Sequence, residues 1–143
     1  VILLDASALL ALLRGEPAEA EVAGLLKGDD CATPSSCLAE VVDHLIRHTG
    51  AEPEEVVDRL DPLIEASLGI VPLENRLGWQ AGELRGAFYR RSGSDVSLAD
   101  CLLLACVGPD DKLASSDRAL LAAAGELGFA TIPLLDSSGA RPD

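Results

Sequence analysis

The sequence predicts a three-layer α/β fold with a central, mainly parallel sheet flanked by helices, and three observations predict it. Short apolar runs recur that are too brief for helices, a stretch of helical periodicity follows most of them, and 143 residues fit one domain of ordinary size. Hydrophobic residues at 48% against 24% charged exclude a disordered chain, and aromatics at only 3% require an aliphatic core. Residues 1–135 are read as the domain and residues 136–143 as a polar tail that frays.

Val1–Leu4 is continuously apolar, as in a strand buried on both faces, and it ends at Asp5. Ser7 precedes the helix formers Ala8–Leu13 and is the expected N-cap, while Gly15 and Pro17 break that helix. Helical spacing resumes over 17–27, Gly28–Asp30 turns the chain, and Cys31–Thr33 is a short strand before Pro34. Leu38, Val41, Val42, Leu45 and Ile46 then recur at helical spacing until Gly50. Pro53 opens a helix to about Ser67, with Glu54 and Glu55 where the helix dipole favours acids, and Pro62 is expected to kink or split it. Ile70–Leu73 reads as a strand, residues 75–91 as the longest helix and residues 92–96 as a loop. Ser97 opens the next helix, which runs to about Val107, and Leu113–Ser116 is a strand. Asp117 caps a helix to about Leu127, and Ala130–Pro133 is the last strand.

Eleven Lys and Arg against 24 Asp and Glu give a formal charge of −13, the opposite of a nucleic-acid-binding footprint. That excludes a broad non-specific DNA contact. It leaves open a small site in which bound cations supply the positive charge for a phosphodiester. No apolar run approaches a membrane span and the opening run lacks the features of a signal peptide, so a cytoplasmic protein with no membrane partner is expected. The chain opens on Val1 inside an apolar run and holds no Met, so an initiator is expected to precede it. Cys31, Cys37, Cys101 and Cys106 form no CxxC pair and read as reduced, mostly buried thiols.

In a parallel sheet, ligands bind outside the carboxyl ends of the strands. Four acids fall at such places: Asp5 after the first strand, Glu40 one turn into its helix, Asp100 in the first turn of its helix, and Asp117 after a strand. Each has a plain structural role open to it. Asp117 suits an N-cap, Asp100 completes a Ser97-x-x-Asp100 capping box, Asp5 can bond the loop to Ser7, and Glu40 can be an exposed helix carboxylate. As a converging set they repel one another. At an effective dielectric of about 20 and roughly 5 Å apart, each pair costs about 3 kcal/mol, so gathering them calls for a cation; hard oxygen donors suit Mg²⁺ or Mn²⁺.

The segments Leu3–Leu9, Ala39–Val42, Ser97–Cys106 and Leu113–Leu120, in this order, resemble the PIN-domain ribonucleases, and among them the single-domain VapC toxins of bacterial toxin–antitoxin pairs. The resemblance runs from residue 2 to about 133. It implies a three-layer PIN-like fold and a metal site of Asp5, Glu40, Asp100 and Asp117. Ser7 and Ser115 would be its polar supports, with Ser115 standing where Thr is frequent. It further implies Mg²⁺- or Mn²⁺-dependent cleavage of RNA, a homodimer, and an antitoxin whose segment lies beside the acids.

Arg85, Arg90 and Arg91, with Tyr89, end the long helix and suit either the helix dipole or substrate phosphate; Arg118, next to Asp117, poses the same choice. His44 and His48 lie one turn apart on the face of Glu40, but without a His-Glu-x-x-His pattern or a third histidine they read as solvated or partner-facing in preference to a transition-metal site. Asp110 and Asp111 suit a turn, and Asp95 is a possible support for the site. The helices at 53–67 and 75–91 carry more apolar residues than one face holds, which suits a partner helix or a second copy. A phosphatase of the haloacid dehalogenase type would need a second Asp where Ser7 stands. A catalytically silent PIN-like binding module and a housekeeping nuclease of RNA maturation are the remaining alternatives.

Overall fold

A computed structural model describes the chain apart from residues 93–95, with Ser92 as backbone only. The loop expected at 92–96, with Asp95, therefore falls largely outside the described residues. Twelve elements follow in order: β1 Ile2–Leu4, α1 Ala6–Arg14, α2 Glu19–Gly28, β2 Cys31–Pro34, α3 Ser35–Thr49, α4 Pro53–Ala66, β3 Leu68–Val71, α5 Asn75–Ser92, α6 Leu98–Cys106, β4 Lys112–Ser115, α7 Arg118–Glu126 and β5 Ala130–Pro133. The five strands form one sheet in the order β3-β2-β1-β4-β5, and every pairing is parallel.

Strand periodicity divides the core into two layers. Ile2, Leu4, Cys31 and Ala114 pack with Leu9 of α1, Val22 of α2, Val41 and Leu45 of α3, and Val56 and Leu60 of α4. Leu3 and Leu113 point to the opposite face, where Ala81 and Phe88 of α5, Leu103 and Leu104 of α6, and Leu120 and Ala124 of α7 cover them. The sheet is buried on both sides, which is why its strands are apolar runs without alternation.

Three local expectations change. The N-cap of α1 is Asp5, whose carboxylate accepts the Ala8 N–H at 2.9 Å, and Ser7 lies inside the helix. Two residues earlier than expected, β3 begins at Leu68 because the buried Leu68 pairs with Cys31, and Gly69 belongs to the strand instead of preceding it. The third concerns α4, which runs from Pro53 to Ala66 through Pro62 without splitting. The polar tail is tethered: Arg141 bonds the Glu21 carboxylate at 2.9 Å and the Pro133 carbonyl at 2.5 Å. Among the described residues no helix is long and apolar enough to cross a membrane.

Candidate functional site

The strand order fixes where a ligand can approach. Chain direction runs outward from β1 through β2 to β3 on one side, then returns to place β4 on the other side of β1. The carboxyl ends of β1 and β4 flank the switch point of the sheet, the usual binding crevice of such folds. Asp5 follows β1 and Asp117 follows the neighbouring β4, each capping the helix that leaves its strand. On the other side of β1, α3 leaves β2 carrying Glu40, and α6 packs against both α3 and β2, carrying Asp100.

Asp5 is the buried member, 6% exposed. Its carboxylate accepts the Ala8 N–H on Oδ1, the Ser7 hydroxyl at 2.8 Å from each oxygen, and the Ser115 hydroxyl at 2.5 Å on Oδ2. Burial pushes its pKa up to about 6; the hydrogen bonds from Ser115, Ala8 and Ser7 oppose that rise, and the charge of Asp117 adds to it. Glu40 is exposed, and partial desolvation followed by the charges of Asp100 and Asp5 raises its pKa. All four acids thus act on one another electrostatically, in three linked pairs. Cys37, buried beneath Asp5 and Glu40, is pushed up to about 12 by burial first and by those two charges next, which leaves it a thiol at neutral pH.

The other two acids do the capping work expected of them. Asp117 Oδ1 accepts the N–H groups of Ala119 and Leu120 at 2.8 and 3.1 Å. Asp100 and Ser97 form a reciprocal capping box, with Ser97 N–H to Asp100 Oδ2 at 2.8 Å and Asp100 N–H to Ser97 Oγ at 3.1 Å. Among the described residues, Glu40 accepts no hydrogen bond, and no three histidines, cysteines or acids stand close enough together to hold one metal ion.

Sequence reading missed two hydroxyls beneath the site. Thr33, fully buried, donates to the Leu4 carbonyl at 2.8 Å and ties the end of β1 to β2. Ser116 donates to Ser7 Oγ through both its hydroxyl, at 3.1 Å, and its amide, at 3.3 Å. The available signal was a run of hydroxyl residues, Ser115 and Ser116, at a strand end just before an acid.

The cations fall into two groups. Arg91 reaches Glu126 at 3.6 Å and lies over the Phe88 ring, Arg85 lies over Tyr89, and Arg90 bonds the Gly86 carbonyl of its own helix. Arg118, directly after Asp117, is exposed. His44 places Nε2 2.9 Å from the Arg14 guanidinium and its ring 4.7 Å from that of His48. A guanidinium on the imidazole nitrogen disfavours a second cation there. Asp111 accepts the Gly108 N–H at 2.8 Å, as turn chemistry expects. None of the four acids lines the depression of about 750 Å³ beside α5, which is bounded by Leu73, Gly78, Trp79 and Leu102.

A family model described as the PIN domain matches residues 2–126. No curated protein matches the chain in sequence. In fold the chain is similar to VapC20 of Mycobacterium tuberculosis, described as a sarcin–ricin loop cleaving toxin, with a TM-score of 0.71 and 19% identity over 99% of this chain and 100% of that one. FitAcB from Neisseria gonorrhoeae aligns at a TM-score of 0.67 and 21% identity, covering 92% of this chain and 96% of that one. VapBC2 from Rickettsia felis, solved bound to a DNA fragment from its promoter, aligns at 0.66 and 16%, again over 92% and 96%. At these identities the likeness is one of fold.

Proposed function

Because the chain belongs to the PIN-domain family, we propose that it is a Mg²⁺- or Mn²⁺-dependent endoribonuclease acting as the toxin of a toxin–antitoxin pair. The observation that carries this reading is Asp5: a buried carboxylate at the switch point of the sheet, bonded by two hydroxyls and an amide, within the field of Asp117 and Glu40. A carboxylate serving only as a helix cap has no need of that burial.

The donor chemistry fits a hard divalent cation. Asp5, Glu40, Asp100 and Asp117 offer only carboxylate oxygens, and a cation would offset both the burial that chiefly raises Asp5 and Glu40 and the mutual charge that adds to it. Asp5 and Asp100, the less exposed pair, would be the direct ligands; Glu40 and Asp117, both exposed, would act partly through water. Bound there, the cation supplies Lewis acidity toward a water and the phosphodiester oxygens. Ser7 and Ser115 donate to Asp5 and would orient it, and Arg118 and Arg90 would be the contacts to substrate phosphate.

Toxin activity calls for a partner that restrains it. A basic antitoxin segment suits a chain of net charge −13. Exposed apolar side chains on α4 and α5, Val57 at 51% and Trp79 at 76%, suit a homodimer contact. The test of the activity is RNA cleavage by purified protein with Mg²⁺: Asp5→Asn should lower it by about 100-fold or more, the upper end for changes to a metal's surroundings. Unchanged cleavage by that variant overturns the assignment, and absence of Mn²⁺ binding by the native chain in calorimetry would favour the silent binding module. Growth arrest on induction, relieved by a neighbouring small gene, separates the toxin from a housekeeping nuclease.

A further inference from the structure

We propose that Ser116 is a positioning residue of the site: its hydroxyl fixes Ser7 as a hydrogen-bond donor to Asp5 and thereby holds Asp5 in one orientation as a ligand. The inference rests on the metal-site reading of Asp5 and concerns the position between Ser115 and Asp117, to which the family resemblance gives no role.

The argument is an account of protons. A serine hydroxyl has one proton to give and two lone pairs to receive with, and an ionised carboxylate only receives. Ser7 Oγ stands 2.8 Å from both Asp5 oxygens, so the single Ser7 proton goes to Asp5. That leaves Ser7 Oγ as an acceptor toward everything else it touches. Ser116 meets it with two donors, the hydroxyl at 3.1 Å and the backbone N–H at 3.3 Å, and both lone pairs are then taken. Ser7 cannot turn its proton elsewhere without losing these bonds.

Ser115 repeats the arrangement on Oδ2. Its Oγ accepts the Asp117 N–H at 2.9 Å and gives its proton to Asp5 Oδ2 at 2.5 Å. The end of β4 thus orders both hydroxyls that hold Asp5, one through a backbone amide alone and one through an amide with a side chain. Only the Ser116 contribution can be removed by substitution without touching Asp5, Ser7 or Ser115. Removing it leaves Ser7 with one donor in place of two, and the Ser7 hydroxyl regains a choice of direction.

Mn²⁺ binding by titration calorimetry tests this directly, alongside thermal unfolding in chelator. Outer-shell partners of metal ligands are typically worth 10-fold or more in affinity, and Ser116 acts through one of them, so Ser116→Ala should weaken Mn²⁺ binding by roughly 3- to 10-fold. Thermal unfolding in chelator should stay as in the native chain, and Ser116→Thr, which keeps the hydroxyl, should restore the affinity. Should Ala lower the metal-free stability, Ser116→Cys, close in volume but a poor donor, gives the same comparison. Native-like Mn²⁺ affinity in Ser116→Ala, or failure of Ser116→Thr to recover it, overturns the role of Ser116. A native chain that binds no Mn²⁺ at all overturns instead the metal-site reading on which it rests.

Discussion

Asp5 sets the terms at the scale of single residues, because burying a carboxylate has a thermodynamic consequence with a definite sign. Its pKa rises from 3.8 to about 6, so between those values the folded chain holds a proton that the unfolded chain releases. Stability therefore falls as pH rises through that window, and above it the folded state carries a penalty of up to about 3 kcal/mol at 1.36 kcal/mol per pH unit. In chelator, the native chain should gain stability as pH is lowered from 7 toward 4, and Asp5→Asn should lose that part of the dependence. Chemical denaturation at a series of pH values reads this; equal slopes for the two proteins would show that Asp5 does not titrate in the window. Asp5 stood out in the sequence because it ends an apolar run. Its exchange of roles with Ser7 did not, since Asp and Ser cap helices almost equally well and only the end of β1 decides which residue meets the first free amide. Ser116 escaped for a different reason: the hydroxyl run that contains it is local, but the partner that gives it a role lies 109 residues away, across a strand pairing.

Elements were legible where periodicity and capping agreed. The capping box at Ser97 and Asp100 and the N-cap at Asp117 appear where sequence placed them, because local chemistry alone determines them. Boundaries moved where tertiary pairing overrode a local signal, as at β3, whose start follows the register with β2 and not the glycine that punctuates it. Helix α4 is the clearest conflict between propensity and packing. Pro62 removes an N–H that the helix interior would use, yet buried Val56 and Leu60 anchor the helix to the core and it continues to Ala66. Pro62 itself is exposed, so a replacement leaves no cavity. Pro62→Ala should stabilise the protein by about 1–3 kcal/mol, the helix-interior difference between the two residues less whatever the helix has already relaxed. Denaturation midpoints for the two chains measure it, and an unchanged or lower midpoint would mean that the proline ring makes a contact worth as much as the missing hydrogen bond.

At the scale of the whole molecule the charge of −13 acts on stability and on association with opposite sign. Like charges crowd the folded chain more than the unfolded one, so self-repulsion opposes folding, and monovalent salt weakens that repulsion over a screening length of about 10 Å at 0.1 M. Without divalent cations, thermal stability should therefore rise with monovalent salt. Attraction to a basic antitoxin segment is screened by the same ions, so that complex should form more slowly and dissociate more readily as salt increases. On the proposed RNA-cleaving reading, so acidic a surface repels phosphate in general, and binding would be left to the few positions where a cation or an arginine such as Arg118 would offset the field. Unfolding and binding experiments across one salt series separate these effects. Stability that falls with salt would mean that specific ion pairs, of which Arg141 with Glu21 is an example at 2.9 Å, outweigh the net charge. A partner complex indifferent to salt would mean that apolar contact, not charge, selects the partner.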